Sequence, residues 1–244
     1  MTDLFPDAVV RYAEHELAVI DLHVPSVPNG TLVVLVHGGF WKEQWDRKHT
    51  REQGRALADG GYLVATPEYR RVDGGGGWPT TGEDLVAALD ALPGQLEGLG
   101  FGWERAAMTG HSAGGHLALW LLTRRLPIDF DVVVGVAPVC DLVLADELGL
   151  GGGAVARLLD GLPVTEADPM TLLADAPGPQ VHLVHGVEDD TVPVALSRGF
   201  AERHPWAGLT ELAGVGHFEF LDPASAAFRA VESVVRSGGG RPPR

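Results

Sequence analysis

The segment Met108-Thr109-Gly110-His111-Ser112-Ala113-Gly114-Gly115 constrains this chain more than any other. It follows the short run Arg105 to Thr109 and opens an apolar segment that reaches Leu122. Strand, tight Gly-x-Ser-x-Gly turn, then helix is the context in which that pattern carries meaning; outside it the five residues are common enough to arise by chance. Gly110 and Gly114 lack a Cβ, so a strand and a helix can cross closely while Ser112 takes a strained backbone conformation. The expectation is a serine hydroxyl above the C-terminal end of a strand, with a helix N-terminus behind it.

The remaining chain alternates in the same way. Leu17 to Val24 is partly alternating and reads as an edge strand, whereas Met1 to His15 shows no clear period. Leu32 to Val36 is a continuous β-branched run, as in a central strand covered on both faces. Helical spacing between Arg47 and Asp59 stops at Gly60-Gly61, and Tyr62 to Thr66 is the next buried strand. A helix is expected from Thr80 to Leu92, with Leu85, Leu89 and Leu92 on one face. Further strands fall at Asp131 to Ala137, Val181 to Val184 and Leu209 to Leu212, with helices at Ala195 to His204 and Pro223 to Val235. Apolar strands alternating with helices predict an α/β fold with a mostly parallel central sheet and helices on both faces. Residues 140–177 break the pattern and read as a small cap-like insertion over the C-terminal strand ends. Residues 1–236 then form one domain, and 237–244 is a Gly/Pro/Arg-rich tail expected to be disordered.

Composition excludes several classes. A formal net charge of −15 argues against nucleic acid, which requires a basic face. The single cysteine, Cys140, cannot form an internal disulfide and points to a reducing compartment. No targeting segment and no run of membrane-spanning length is present, so a soluble, cytoplasmic protein with no membrane partner is expected. The Gly74–Gly77 run lacks the spacing of a phosphate cradle and reads as a linker. His23, His182 and His185 share no local metal-ligand spacing, so neither a metal nor a cofactor is expected.

In an open parallel sheet the loops at the strand C-termini share one site. Four loops fall there, 37–41, 110–115, 185–193 and 214–217, and they supply Ser112, an acid at Asp189 or Asp190, then His217. A serine hydroxyl is a poor nucleophile at neutral pH. An imidazole must take its proton in the transition state, and a carboxylate must fix the imidazole's tautomer. Ser, then Asp, then His is the order expected on one particular hydrolase fold.

The chain resembles the α/β-hydrolases of the esterase/lipase group, related to bacterial hormone-sensitive-lipase-like esterases and kynurenine formamidases. The resemblance rests on His37-Gly38-Gly39-Phe40-Trp41, Glu68-Tyr69-Arg70, Gly77-Trp78-Pro79, Gly110 to His116, the loop after His185, and Gly216-His217-Phe218. It spans the first central strand to the final helix and implies the α/β-hydrolase fold. Through the family's H-G-x-x-D-x-x-V-P loop it implies Asp189, not Asp190, as the carboxylate. It also implies an oxyanion hole from the Ala113 amide and that of Gly39 or Phe40. Here Phe40 and Trp41 replace the third glycine of the HGGG pattern and its neighbour, which is more like the formamidase branch. Phe40 and Trp41 either line the pocket or belong to the core. The implied activity is serine hydrolysis of a small carboxylic ester through an acyl-enzyme. An arylformamidase is the alternative, and a non-catalytic ligand-binding protein on the same fold is the contrasting class.

His111 is expected to pack near the sheet, His116 to be a core histidine, and His37 to brace the oxyanion loop. Cys140 shows no sign of activation, and Glu219 reads as a surface acid near His217.

Overall fold

The computed structural model describes residues 4–176 and 178–238. Its centre is an eight-stranded sheet in the order β1-β2-β4-β3-β5-β6-β7-β8. The strands are β1 (Ala8–Arg11), β2 (Val19–His23), β3 (Thr31–Val36), β4 (Leu63–Pro67), β5 (Arg105–His111), β6 (Val132–Val136), β7 (Gln180–Gly186) and β8 (Gly208–Leu212). β1 and β2 run antiparallel at one side, and every pairing from β4 to β8 is parallel.

Both faces of the sheet are covered, as the unbroken apolar runs require. Along β3, Leu32, Val34 and Val36 join one core and Val33 and Leu35 the other. The first core takes α2 (Thr80–Gly98), α3 (Ala113–Leu121) and α7 (Ala195–Arg203); the second takes α1 (Arg51–Asp59) and α8 (Ala226–Ser237). Each fully buried leucine or valine in these layers contributes roughly 1.5–3 kcal/mol.

Three elements depart from the sequence reading. β2 is not an edge strand: all five of its residues are buried, and β1 pairs outside it, Val10 against Ile20. β1 went unread because four residues, partly exposed at a sheet edge, show no usable period. α2 continues past Pro93 to Gly98 because Leu96, wholly buried, prolongs the stripe of Leu85, Leu89 and Leu92. That burial outweighs the hydrogen bond the proline removes.

Between β6 and β7 lie three short helices, α4 (Leu142–Glu147), α5 (Leu150–Leu159) and α6 (Pro169–Leu172). The buried Asp168 ties this segment together, accepting from the Leu142 amide at 3.1 Å and the Thr171 hydroxyl at 2.8 Å. It packs on the loop after β3, where the Lys42 ammonium donates to the Gly151 carbonyl at 2.7 Å. Of the expected tail, Ser237 instead closes α8 and Gly238 caps it, donating to the Val234 carbonyl at 3.0 Å; residues 239–244 lie outside the described residues. Among the described residues no helix is long and apolar enough to cross a membrane.

Candidate active site

The loops after β3, β5, β7 and β8 leave the sheet on one side, since these strands are parallel and in close register: Val36 lies opposite Gly110, and Gly186 opposite Leu212. Ser112 stands between β5 and α3 with φ 57° and ψ −119°, outside the ordinary regions for an L residue. Three backbone hydrogen bonds hold it there. Its amide donates to the Val136 carbonyl at 2.8 Å, and its carbonyl accepts from Val139 at 3.2 Å and His116 at 3.1 Å. The flanking glycines are required by contact: a Cβ on Gly110 or Gly114 would sit 2.2 Å from the Gly114 or Val36 carbonyl oxygen, respectively.

His217 and Asp189 meet behind this turn. The Nδ1 of His217 lies 2.6 Å from Oδ2 of Asp189. The other oxygen, Oδ1, accepts from the amides of Thr191 at 2.9 Å and Val192 at 2.7 Å. Burial pushes the Asp189 carboxyl up, but hydrogen bonds from His185 and His217 outweigh it and hold the group well below the usual carboxylate range. The ionised carboxylate only accepts, so Nδ1 of His217 carries the proton and Nε2 is left as the ring's acceptor. His185 adds support: Nε2 donates to the Val192 carbonyl at 2.8 Å and lies 3.3 Å from Oδ2 of Asp189. Asp190 is exposed and bonded to the Thr191 hydroxyl at 3.2 Å, so the neighbouring acids are separated by environment.

The loop after β3 takes three successive left-handed conformations, Gly39 at φ 111°, Phe40 at 50° and Trp41 at 55°. Strain of this kind persists only where surrounding structure over-determines it. Here the Tyr69 hydroxyl donates to the His37 carbonyl at 2.8 Å, and Val72 donates to the Trp41 carbonyl at 2.9 Å. His37 stacks on Tyr69 with centroids 4.1 Å apart, its Nε2 donating to Glu68 at 2.9 Å and its Nδ1 lying 3.0 Å from the Gly38 carbonyl oxygen. Glu68 is fully buried among His37, Arg71 and Arg47. Burial raises its pKa, yet the hydrogen bond from His37 and the nearby cations win, leaving it at about 2. His37 therefore braces the loop, as the sequence implied. The amides of Gly39 and Phe40 have no acceptor among the described residues, and that of Ala113 is one of the unpaired donors in the first turn of α3.

Ser112, His217, Gly39 and Phe40 line one cavity of about 170 Å³, small beside the roughly 300–1,000 Å³ usual for ligand pockets. Its other walls are His111, from the turn itself, and Trp45, His49, Thr191, Phe218 and Leu221, whose part in the site was not legible in the sequence. Trp45 and His49 are brought to Ser112 by the turn at Gly39, Thr191 by the loop after β7, and Phe218 and Leu221 by the segment after β8. The motifs around Asp189 and His217 point to those two residues and not to their neighbours Thr191 and Phe218. Phe40 and Trp41 divide between the two roles left open for them. Phe40 faces the cavity, while Trp41 is wholly buried with its ring 5.1 Å from His116. His116 is a core residue donating to the Ala167 carbonyl at 2.9 Å. Cys140 is fully buried, which pushes its thiol far up. Glu219 is exposed. Among the described residues no three metal-ligating side chains cluster.

Chemically, the arrangement offers a serine on a strained turn, an imidazole with its tautomer fixed by a carboxylate, and unpaired amides in one small cavity. A family model for the prolyl oligopeptidase family matches residues 79–203, just over half of the chain, and a model described as BD-FAE matches residues 20–132. No curated protein matches the chain. Among solved structures, esterase B from Lactobacillus rhamnosis is 21% identical with a TM-score of 0.80, covering 96% of this chain and 86% of that one. A thermophilic esterase from Thermogutta terrifontis with propionate bound is 20% identical with a TM-score of 0.76, covering 99% and 98%. A truncated carbohydrate esterase from gut microbiota is 16% identical with a TM-score of 0.81, covering 98% and 99%. At these identities the likeness is one of fold.

Proposed function

We propose that this chain, which belongs to the prolyl oligopeptidase family of the α/β-hydrolases, is a serine hydrolase that cleaves a small carboxylic ester through an acyl-enzyme. Fold does not fix chemistry, so the reading is drawn from the site. The observation that carries it is that Ser112, on its strained turn, opens on the same cavity as His217, whose Nδ1 is bonded to Asp189 at 2.6 Å. In this reading Nε2 of His217 takes the Ser112 proton as Oγ attacks the carbonyl carbon. The carbonyl oxygen becomes an oxyanion, met by the amides of Ala113 and of Gly39 or Phe40. Collapse expels the alcohol, which receives the proton from His217. Water, deprotonated by the same ring, then attacks the acyl-Ser112 ester and releases the acid. Asp189 orients His217 and stabilises its imidazolium form. No cofactor enters these steps, and the cytoplasm is the proposed location.

The small cavity supports a short acyl group. A second substrate, an N-formyl arylamine, is favoured by the aromatic walls Phe40, Trp45 and Phe218, which suit an aryl leaving group. The deciding experiment reacts the protein with a fluorophosphonate and compares turnover of short p-nitrophenyl esters with N-formylkynurenine. Labelling confined to Ser112 with ester turnover supports the first reading; faster formamide turnover supports the second. Absence of labelling and of all turnover would leave a non-catalytic ligand-binding protein.

A further inference from the structure

We infer that His49 is a substrate-recognition residue whose Nε2 accepts a hydrogen bond from a hydroxyl or amide N–H of the substrate, so that the preferred ester or formamide carries such a donor near its scissile carbonyl. The inference rests on the hydrolase reading above and concerns the same cavity.

His49 lies in the one-turn 3₁₀ helix Arg47–Thr50, and its half-buried ring lines the cavity that holds Ser112 and His217. The ring has one tautomer available. Nδ1 is hydrogen-bonded to the Asp46 carbonyl, which has no proton to give, so Nδ1 is the donor. In a neutral imidazole the second nitrogen is then an acceptor. Burial, with a smaller effect of His37, lowers the pKa of His49 to about 4, so the neutral form prevails at ordinary pH. No group among the described residues partners Nε2.

The ring is also held in place. His37 meets it edge-on at 5.6 Å between centroids and 87°, and Trp45 at 5.7 Å and 74°. These contacts and the Nδ1 bond to Asp46 fix the ring's orientation in the cavity wall. His49 is surplus to the acyl-transfer steps, because His217 is the imidazole bonded to the buried carboxylate. What distinguishes it is its setting: around it the wall is apolar, from Phe40, Trp45, Phe218 and Leu221. A substrate that covers Nε2 with a methylene strips water from an acceptor and returns nothing, whereas one that presents a donor replaces the lost hydrogen bond. The cavity thus selects for a hydroxylated acyl group, a hydroxylated alcohol or a formamide N–H over its apolar counterpart.

The test uses three matched pairs that differ in the donor: p-nitrophenyl 3-hydroxybutyrate against the butyrate, 2-hydroxyethyl butyrate against propyl butyrate, and formanilide against N-methylformanilide. In the wild type at least one donor-bearing member should exceed its partner about tenfold in kcat/KM, the size of one hydrogen bond. That ratio should fall toward one in His49→Phe and survive in part in His49→Gln, whose amide oxygen still accepts. Equal turnover within all three pairs by the wild-type enzyme overturns the inference without any variant, as does a ratio that persists in His49→Phe. Fluorophosphonate labelling separates the two levels. Labelled protein that turns over butyrate esters without discrimination loses only the role of His49, whereas protein with neither label nor turnover loses the hydrolase reading itself.

Discussion

His111 donates through Nε2 to the backbone carbonyl of His217 at 2.9 Å, and the two rings stand 4.5 Å apart. The variable position of the Gly-x-Ser-x-Gly turn is thereby tied to the loop carrying the proposed base. Burial, reinforced by His217, lowers the pKa of His111 to about 3, so it serves as a neutral donor and not as a second positive charge beside that base. His111→Phe should keep the ring's bulk and lose the donor. We expect kcat to fall roughly tenfold with KM little changed, as befits one hydrogen bond. Steady-state kinetics beside a thermal melt checks this; an unchanged kcat would show that the His217 loop holds its place without the bond.

Ser112→Ala should abolish turnover, on the order of a million-fold by the precedent of serine triads, while the fold persists. Near-wild-type activity in this variant would move the nucleophile elsewhere.

The two adjacent acids should respond unequally. Asp189→Asn should lower kcat roughly ten-thousand-fold, because the amide favours the wrong tautomer of His217, and Asp190→Asn should do little. Circular dichroism shows whether each variant is folded. The reverse ranking would transfer the orienting role to Asp190.

Acid should destabilise the protein in two stages. Burial lowers the pKa values of His49 and His116 to about 4 and of His111 to about 3, from an ordinary 6.5. The unfolded chain binds these protons first, so their contribution is complete above pH 6.5 and declines as pH falls toward the folded values. Glu68 follows: its pKa is about 2 against an ordinary 4.5, so its contribution is present above pH 4.5 and lost as pH falls through 2. Urea midpoints should decline from pH 6.5 downward, and Glu68→Gln should flatten the limb below 4.5. Midpoints constant between pH 7 and 4 would contradict the histidine contribution.

Gly151→Ala should act at a distance from the reacting atoms. Gly151 has φ 60°, and a Cβ there would lie 2.7 Å from the Phe40 ring. A left-handed non-glycine residue costs about 1–2 kcal/mol, and Phe40 must move toward the cavity. A lower melting temperature and a KM that rises more for hexanoate than for acetate esters are expected. Equal KM changes for both would leave Phe40 outside the acyl wall.

The sequence carried the parts of this site that are local. The Ser112 turn is legible because its chemistry demands a strand, two small residues and a helix in succession. β3 and β6 are legible because burial on both faces makes each a solid apolar run. The ring of His37 could be assigned a bracing role, but its partners Glu68 and Tyr69 lie about thirty residues on and were visible only as a family motif. Trp45 and His49 were not legible at all. They reach the cavity because Gly39, Phe40 and Trp41 turn the chain back, and no periodicity records a turn of that kind. β1 failed for a different reason, being short, half-exposed and stabilised by pairing with β2 instead of by its own pattern.

The cavity is built from materials of opposite stiffness. On the Gly39 side, Glu68 and Asp21 are locked among Arg47, Arg51, Arg71 and His37. Behind Phe40, Gly149, Gly151, Gly152 and Gly153 are all left-handed and carry no side chains of their own, the run being held by the Lys42 ammonium on the Gly151 carbonyl. Under the proposed reaction, a bulky ester would meet an ion-paired anvil on one flank and, behind Phe40, a wall backed by bare backbone on the other. Breadth of substrate range should be an evolvable property of residues 149–153, open to change without touching the residues that anchor the opposite flank.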